Sequence, residues 1–180
     1  KSRFVKPVKR ILFLTDNFPP EVNAPATRTF EHLKEWVKEG YQPIVITSFP
    51  NFPLGKVFSG YRNTLYKSEE IEGIKVIRVW TLVFPNSGFI KRVLDQLSYM
   101  FSSFFAGIFL KSDIIVATSP NFFAACSGRM LAFVKRKEWF MEVRDIWPES
   151  IAAVGAMKKG MAYRTLEKIE LGLYKSAKGV

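Results

Sequence analysis

A chain of 180 residues with 48% hydrophobic content can bury one substantial core and is too apolar to be a disordered tether, so one domain is the expectation. Its formal net charge of +11 points to an anionic partner, without choosing among nucleic acid, a phospholipid surface and a phosphorylated ligand. The single cysteine, Cys126, excludes an internal disulfide framework, and its setting beside Phe122, Phe123, Ala124 and Ala125 reads as packing.

The amino end, Lys1 to Pro7, has no apolar signal-peptide region, and the cytoplasm is the simplest compartment. A first strand is expected over residues 9–15, where Ile11, Leu12, Phe13 and Leu14 are consecutively apolar, as in a parallel strand covered on both faces. A turn-rich loop from Asp16 to Pro25 opens a helix on which Ala26, Phe30, Leu33 and Val37 share one face, and Gly40 ends it. Residues 43–47 form a second strand, which makes a βαβ unit with a right-handed crossover. The long loop 49–66 carries Phe49, Phe52, Phe58, Tyr61 and Tyr66. It reads either as a loop packed down by its own rings or as a substrate-facing flap. Further strands are expected at 74–80, after a Glu72-Gly73 turn, at 113–118 and at 138–143. The alternation predicts an α/β fold: a Rossmann-like, doubly wound, mostly parallel sheet with helices on both faces and the first strand central.

Residues 89–110 have an unusual polarity. Ile90, Val93, Leu94, Leu97, Phe101, Phe104, Phe105 and Ile108 recur at helical spacing, while charge is confined to Lys91, Arg92 and Asp95. The uncharged stretch 96–110 is shorter than the roughly 20 residues a bilayer span needs, leaving a core helix or an interfacial one. Lys91, Arg92 and Lys111 at its ends suit anionic lipid, and the opposite face of Ser98, Ser102, Ser103, Ala106 and Gly107 suits close packing or shallow insertion.

Chemistry concentrates at 140–150, where an apolar run breaks into Glu142, Arg144 and Asp145, followed by Pro148 and Glu149. A strand over 139–143, Asp145 as a helix N-cap and Pro148 in the first turn gather these side chains where open α/β sheets bind ligands. The alternative is a capped turn with a surface salt bridge. Arg28, early in the first helix, opposes the macrodipole unless an anion is near, which makes Glu31, Glu21 or a ligand phosphate or carboxylate its expected partner. His32, the only histidine, falls on the polar face and reads as solvated. Neither a zinc ligand set, nor a P-loop, nor a nucleophile elbow, nor a triad can be assembled, and the loop after the first strand lacks G-x-G-x-x-G.

Four segments carry a resemblance: Phe18-Pro19-Pro20-Glu21 through Arg28; Thr47 through Lys56 with Pro50-Asn51-Phe52-Pro53; Asp113 through Pro120; and Glu142-Val143-Arg144-Asp145-Ile146-Trp147-Pro148-Glu149-Ser150. Together they resemble family-4 (group 1) glycosyltransferases, closest to the branch of O-antigen fucosamine-type and colanic-acid transferases. The likeness runs from about Arg10 to Val180. It implies a GT-B enzyme with two Rossmann-like halves facing across a cleft, this chain being the amino-terminal, acceptor-binding half and the donor-binding half lying outside it. It further implies transfer of a hexosyl group from a nucleotide-sugar to a polyprenyl-diphosphate-linked acceptor in the synthesis of O-antigen, capsule or exopolysaccharide. Such an enzyme works peripherally on the inner face of the plasma membrane, with an anionic membrane surface as partner and no metal or other cofactor, and this half alone is inactive.

On that resemblance Asp145 or Glu142 accepts the acceptor's proton, Arg144 holds a carboxylate or phosphate, and Asn17, Glu21, Asn23, Arg28, Asn51, Pro120, Asn121 and Glu149 contact substrate. Val22-Asn23-Ala24-Pro25 replaces the glycine-rich loop of many relatives, and Arg144-Asp145 stands where other branches carry a histidine. Two other readings compete. A stand-alone nucleotide-binding Rossmann protein lacks its glycine fingerprint here, and a nucleic-acid-binding domain would need more than scattered lysines and arginines.

Overall fold

Runs of consecutive apolar residues build the centre of the molecule. The computed structural model describes residues 9–85, 88–119, 121–149, 152, 155 and 160–180. Its elements follow as β1 (Arg10–Leu14), α1 (Ala24–Lys38), β2 (Gln42–Ser48), β3 (Tyr66–Ile71), β4 (Ile74–Val79), α2 (Phe89–Phe109), β5 (Ile114–Thr118), α3 (Phe122–Lys135), β6 (Glu138–Glu142) and α4 (Met161–Ser176). The strands form one sheet in the order β3-β4-β2-β1-β5-β6, parallel throughout except where β3 runs antiparallel to β4. The α/β expectation therefore holds, with β1 in the interior of the sheet. Leu12 and Leu14 join a core under α2 and α3, whereas Phe13 joins Leu33, Val45 and Val76 under α1.

Local chemistry sets the helix ends. Asn23 caps α1, its Oδ1 accepting the Ala26 N–H at 2.8 Å. Gly40, at φ +87°, closes the same helix by donating to the Val37 carbonyl at 3.0 Å, a conformation that favours glycine. Glu72 and Gly73 turn β3 into β4, both with positive φ. Strand β3 itself has no counterpart in the sequence reading, which counted Tyr66 with the preceding loop. It is an edge strand whose burial alternates between exposed and half-buried, so it has no apolar run.

Two features depart from what periodicity suggests. First, α2 turns its small face inward: Tyr99, Ser103 and Gly107 are buried, while Phe101, Phe105 and Phe109 are 53%, 61% and 85% exposed. Ser103 Oγ donates to Ser127 Oγ at 2.8 Å, and Gly107 sits where a Cβ would meet Leu131, so lack of bulk lets α2 and α3 approach closely. A covered core helix is thereby excluded for α2. Second, a fully buried guanidinium, Arg78 of β4, reaches the Pro19 carbonyl, the Ser48 carbonyl (3.1 Å) and the Glu69 carboxylate, and stacks over Tyr61 at 5.0 Å. It ties the loop after β1, the end of β2, the long loop and β3 into one body. Phe49, buried, packs edge-on against Tyr61, so the long loop is packed down by its own rings.

Candidate active site

The chain leaves β1 through α1 to β2 on one side, while β5 pairs with the other side of β1. Their carboxyl ends diverge there, and such a switch point opens a crevice in an α/β sheet. Asp16 and Asn17 follow β1, and Ser119 and Asn121 follow β5. Pro120, expected to contact substrate, lies outside the described residues.

The asparagines prove to have structural tasks. Asn121 Oδ1 accepts the Phe123 and Ala124 N–H groups at 3.0 and 3.1 Å, capping α3, and its Nδ2 points at Asp16 Oδ2 from 3.4 Å. Asn23, besides capping α1, donates to Asn17 Oδ1 at 2.6 Å. Both helix amino ends thus sit at the crevice, where the positive ends of the helix dipoles favour negative charge even with these caps in place. Glu21 and Asn51 are brought together, but by a latch: Glu21 Oε1 accepts the Asn51 and Phe52 N–H groups, each at 2.8 Å. Burial pushes the Glu21 carboxyl up, and these two hydrogen bonds oppose the shift.

The 142–149 motif divides between the two sides of the sheet. Glu142 points toward α1, where its carboxylate takes Arg28 Nη2 at 2.6 Å and stands 3.9 Å from His32 Nδ1. Arg28 therefore finds its anion on β6 and not at Glu31 or Glu21. His32 is half-exposed as expected, yet it borders an apolar trough of about 670 Å³ that includes Phe13, Trp36, Val116 and Phe140, with Glu142 on the same rim.

Ser119 Oγ accepts both the Arg144 N–H (2.6 Å) and the Asp145 N–H (3.2 Å), pinning the turn after β6 to the end of β5. The Arg144 guanidinium acts on Asp16: burial pushes the Asp16 carboxyl up, and the positive charge of Arg144 is among the influences that oppose the rise. Arg144 Nη1 is buried with no hydrogen-bond acceptor.

Asp145 and Glu149 are exposed, and Asp145 does not cap a helix. The Trp147 N–H that such a cap would accept donates instead to Glu170 Oε1 at 3.0 Å, and a helical bond runs from the Ala152 N–H to the Pro148 carbonyl. The turn begins at Pro148. Trp147 is buried and stacks on Phe122 with ring centres 4.9 Å apart, so the middle of the motif is an anchor for the backbone.

Asp95 is a half-buried carboxyl near the crevice that the sequence reading counted only as an early charge on α2. Burial raises its carboxyl to about 7, the charge of Asp16 adds to the shift, and the Thr81 hydroxyl opposes it. A signal did exist: Asp95, Tyr99, Ser103 and Gly107 recur every four residues, and the last three are the buried ridge of α2. Tyr99 OH lies 3.0 Å from the Thr15 carbonyl and 2.7 Å from that of Ile46, which holds this ridge against the carboxyl end of β1. Among the described residues, no three histidine, cysteine or acidic side chains converge as a metal site.

No family model and no curated protein matches the sequence. Among solved structures, sucrose-phosphate synthase from Thermosynechococcus elongatus is similar with a TM-score of 0.62 at 9% identity, over 94% of this chain and 41% of that one. CalG4, the calicheamicin glycosyltransferase, gives 0.55 at 14% identity, over 96% of this chain and 44% of its own. At such identities the likeness is one of fold: the chain has the architecture of a Rossmann-like half of a GT-B glycosyltransferase. It spans less than half the length of either protein.

Proposed function

We propose that this chain is the acceptor-binding half of a glycosyltransferase, one that moves a hexosyl group from a nucleotide-sugar to a polyprenyl-diphosphate-linked acceptor in cell-surface polysaccharide synthesis. The observation that supports this reading best is the crevice between β1 and β5, where Arg144 keeps a buried Nη1 without an acceptor beside Asp16, flanked by the amino ends of α1 and α3. Glycosyl transfer releases a nucleoside diphosphate, and the acceptor carries a diphosphate of its own. A guanidinium and two helix amino ends stabilise negative charge of that kind. The nucleotide-sugar, in this reading, is held mainly by a second Rossmann-like domain outside this chain.

Asp145, exposed at the lip, accepts the proton of the attacking hydroxyl. Arg144 holds the phosphate, and Glu142, fixed by Arg28, braces the end of β6 from the other side. Asn17 and Glu149 complete the contacts to the acceptor sugar in this reading. In the full-length enzyme, Asp145→Asn should lower turnover by about 100- to 10,000-fold, the usual span for losing a general base, while calorimetry finds donor affinity unchanged. Because Asp145 caps nothing, the asparagine variant should melt as the wild type does. Near-wild-type turnover in a folded Asp145→Asn enzyme would remove Asp145 from the chemistry.

A further inference from the structure

Three carboxyls from different elements meet at the floor of the crevice: Asp16 from the end of β1, Glu21 from the loop that follows, and Asp95 from α2. The charge of Asp16 acts on both of the others, and that of Glu21 acts on Asp95. Two of the three already have a task. Asp16 faces the Arg144 guanidinium and the Asn17 and Asn121 side chains, while Glu21 holds the long loop by two backbone N–H groups. Asp95 has no such work.

Its place is nonetheless fixed from two directions. One turn further along α2, Tyr99 OH donates toward the carbonyls of Thr15 (3.0 Å) and Ile46 (2.7 Å), which sets this part of the helix against the carboxyl ends of β1 and β2. Ser98 Oγ donates to the Asp95 carbonyl at 2.6 Å and accepts the Leu82 N–H at 2.8 Å, so the chain leaving β4 is stitched to the same turn. The Thr81 hydroxyl is thereby brought to face the Asp95 carboxyl, and its Oγ1, in a residue only 1% exposed, has no hydrogen-bond partner. Little else in these surroundings answers a negative charge. Burial keeps the Tyr99 hydroxyl neutral, Arg78 is engaged with Glu69 and two carbonyls, and Lys91 and Arg92 in the first turn of α2 are exposed.

We propose that Asp95 is a positioning residue of the crevice: with its proton on, it leaves Asp16 as the carboxylate that Arg144 answers, and with its proton off it adds a further negative charge that turns phosphate away, so that a phosphate group enters the crevice together with a proton. This coupling rests on the crevice being the seat of a diphosphate, as in the proposed transferase, and adds the condition under which that seat is open. The surroundings decide which of the two aspartates keeps the proton. Carboxyls close together in a dry setting do not both ionise readily, and the one with more hydrogen bonds to its charged form ionises first. Asp16 has two amide side chains and a guanidinium for its charge, whereas Asp95 has one hydroxyl. The exchange falls near neutral pH, since burial and then the charge of Asp16 raise the Asp95 carboxyl to about 7. An anion arriving in the crevice raises it further by the same repulsion, and by reciprocity the bound proton strengthens the hold on the anion.

Calorimetric titration with sodium sulfate, an anion that does not itself titrate near neutrality, tests this at pH 6 and pH 8. Two buffers of different ionisation enthalpy at each pH let proton uptake be read directly. The wild type should bind sulfate roughly tenfold more weakly at pH 8 than at pH 6 and take up about one proton per sulfate at pH 8, as a single group titrating about one unit below the higher pH requires. Asp95→Asn should bind equally at both and take up none. Thr81→Val removes a hydroxyl that favours the ionised form, so the midpoint of the dependence should move to higher pH, a shift that a merely structural role for Asp95 would not produce. Arg144→Met should lose sulfate binding at either pH. Absence of sulfate binding at pH 6, binding without proton uptake, a pH dependence unchanged in Asp95→Asn, or binding that survives Arg144→Met would each overturn the coupling. Turnover of the full-length enzyme over a panel of nucleotide-sugars keeps the two readings apart: transfer without proton-linked sulfate binding removes Asp95 alone, and proton-linked binding without transfer removes the transferase and leaves Asp95 standing.

Discussion

Asp95 shows how far a residue's surroundings can move its chemistry. The folded protein holds a proton on this carboxyl up to about pH 7, whereas in the unfolded chain the group releases it near its ordinary 3.8. More protons are bound in the folded state between those limits, so Asp95 supports folding fully below the lower one, and that support is lost as pH rises through the upper one. Asp95→Asn cannot ionise. Its melting temperature relative to wild type should therefore climb from pH 4 to pH 8, by on the order of 10 °C for a domain of this size. A difference that stays flat across that range would show that the carboxyl is not held in a dry setting. At this scale the sequence was least legible. The sequence reading offered Asn23 and Asn121 as substrate contacts alone, although asparagine also caps helices, and their Oδ1 atoms accept backbone N–H groups. The partner of Arg28 lies 114 residues away and no local pattern could name it.

Among the elements, α2 teaches the most about amphipathic reading. Its hydrophobic stripe was visible, but which stripe faces inward was decided by close approach to α3 through Ser103 and Gly107, and the aromatic side was left outside. Gly107→Leu should accordingly destabilise the protein by about 1–3 kcal/mol through overpacking against Leu131, while Phe105→Ser should stay within roughly 0.5 kcal/mol. Urea titration measures both, and the opposite order of effects would mean that α2 buries its aromatic face after all. Three of the parallel strands were legible for a simple reason: β1 and β2 are buried on both faces and, like β5, run apolar for several residues together, whereas β4 shows only Val76-Ile77 between Lys75 and Arg78. Strand β3 was not, because an edge strand wet on its outer side carries Lys67, Glu69 and Glu70.

Across the whole molecule, the sheet order and the position of the crevice follow from a strand–helix alternation that the sequence displays openly. The closing of the long loop does not, since it depends on Arg78 of β4 meeting Pro19, Ser48 and Tyr61 from three other segments. In the proposed reading the donor is bound chiefly by another domain. This chain alone should therefore show no calorimetric signal with a panel of nucleotide-sugars at micromolar concentration, and a clear micromolar isotherm would overturn the assignment of halves. The buried guanidinium of Arg78 has a kinetic consequence as well. Lys56 and Arg62 offer trypsin two cleavage points in a segment without regular structure, yet that segment is held by Tyr61 packed against the Arg78 guanidinium at 5.0 Å, by the Asn51 and Phe52 N–H groups on Glu21, and by Asn63 Nδ2 on the Thr81 carbonyl. Digestion at those two sites should wait on unfolding of the whole domain, and in Arg78→Met it should run ahead of cleavage at sites such as Lys168 in α4, the loop having become a separately fraying unit.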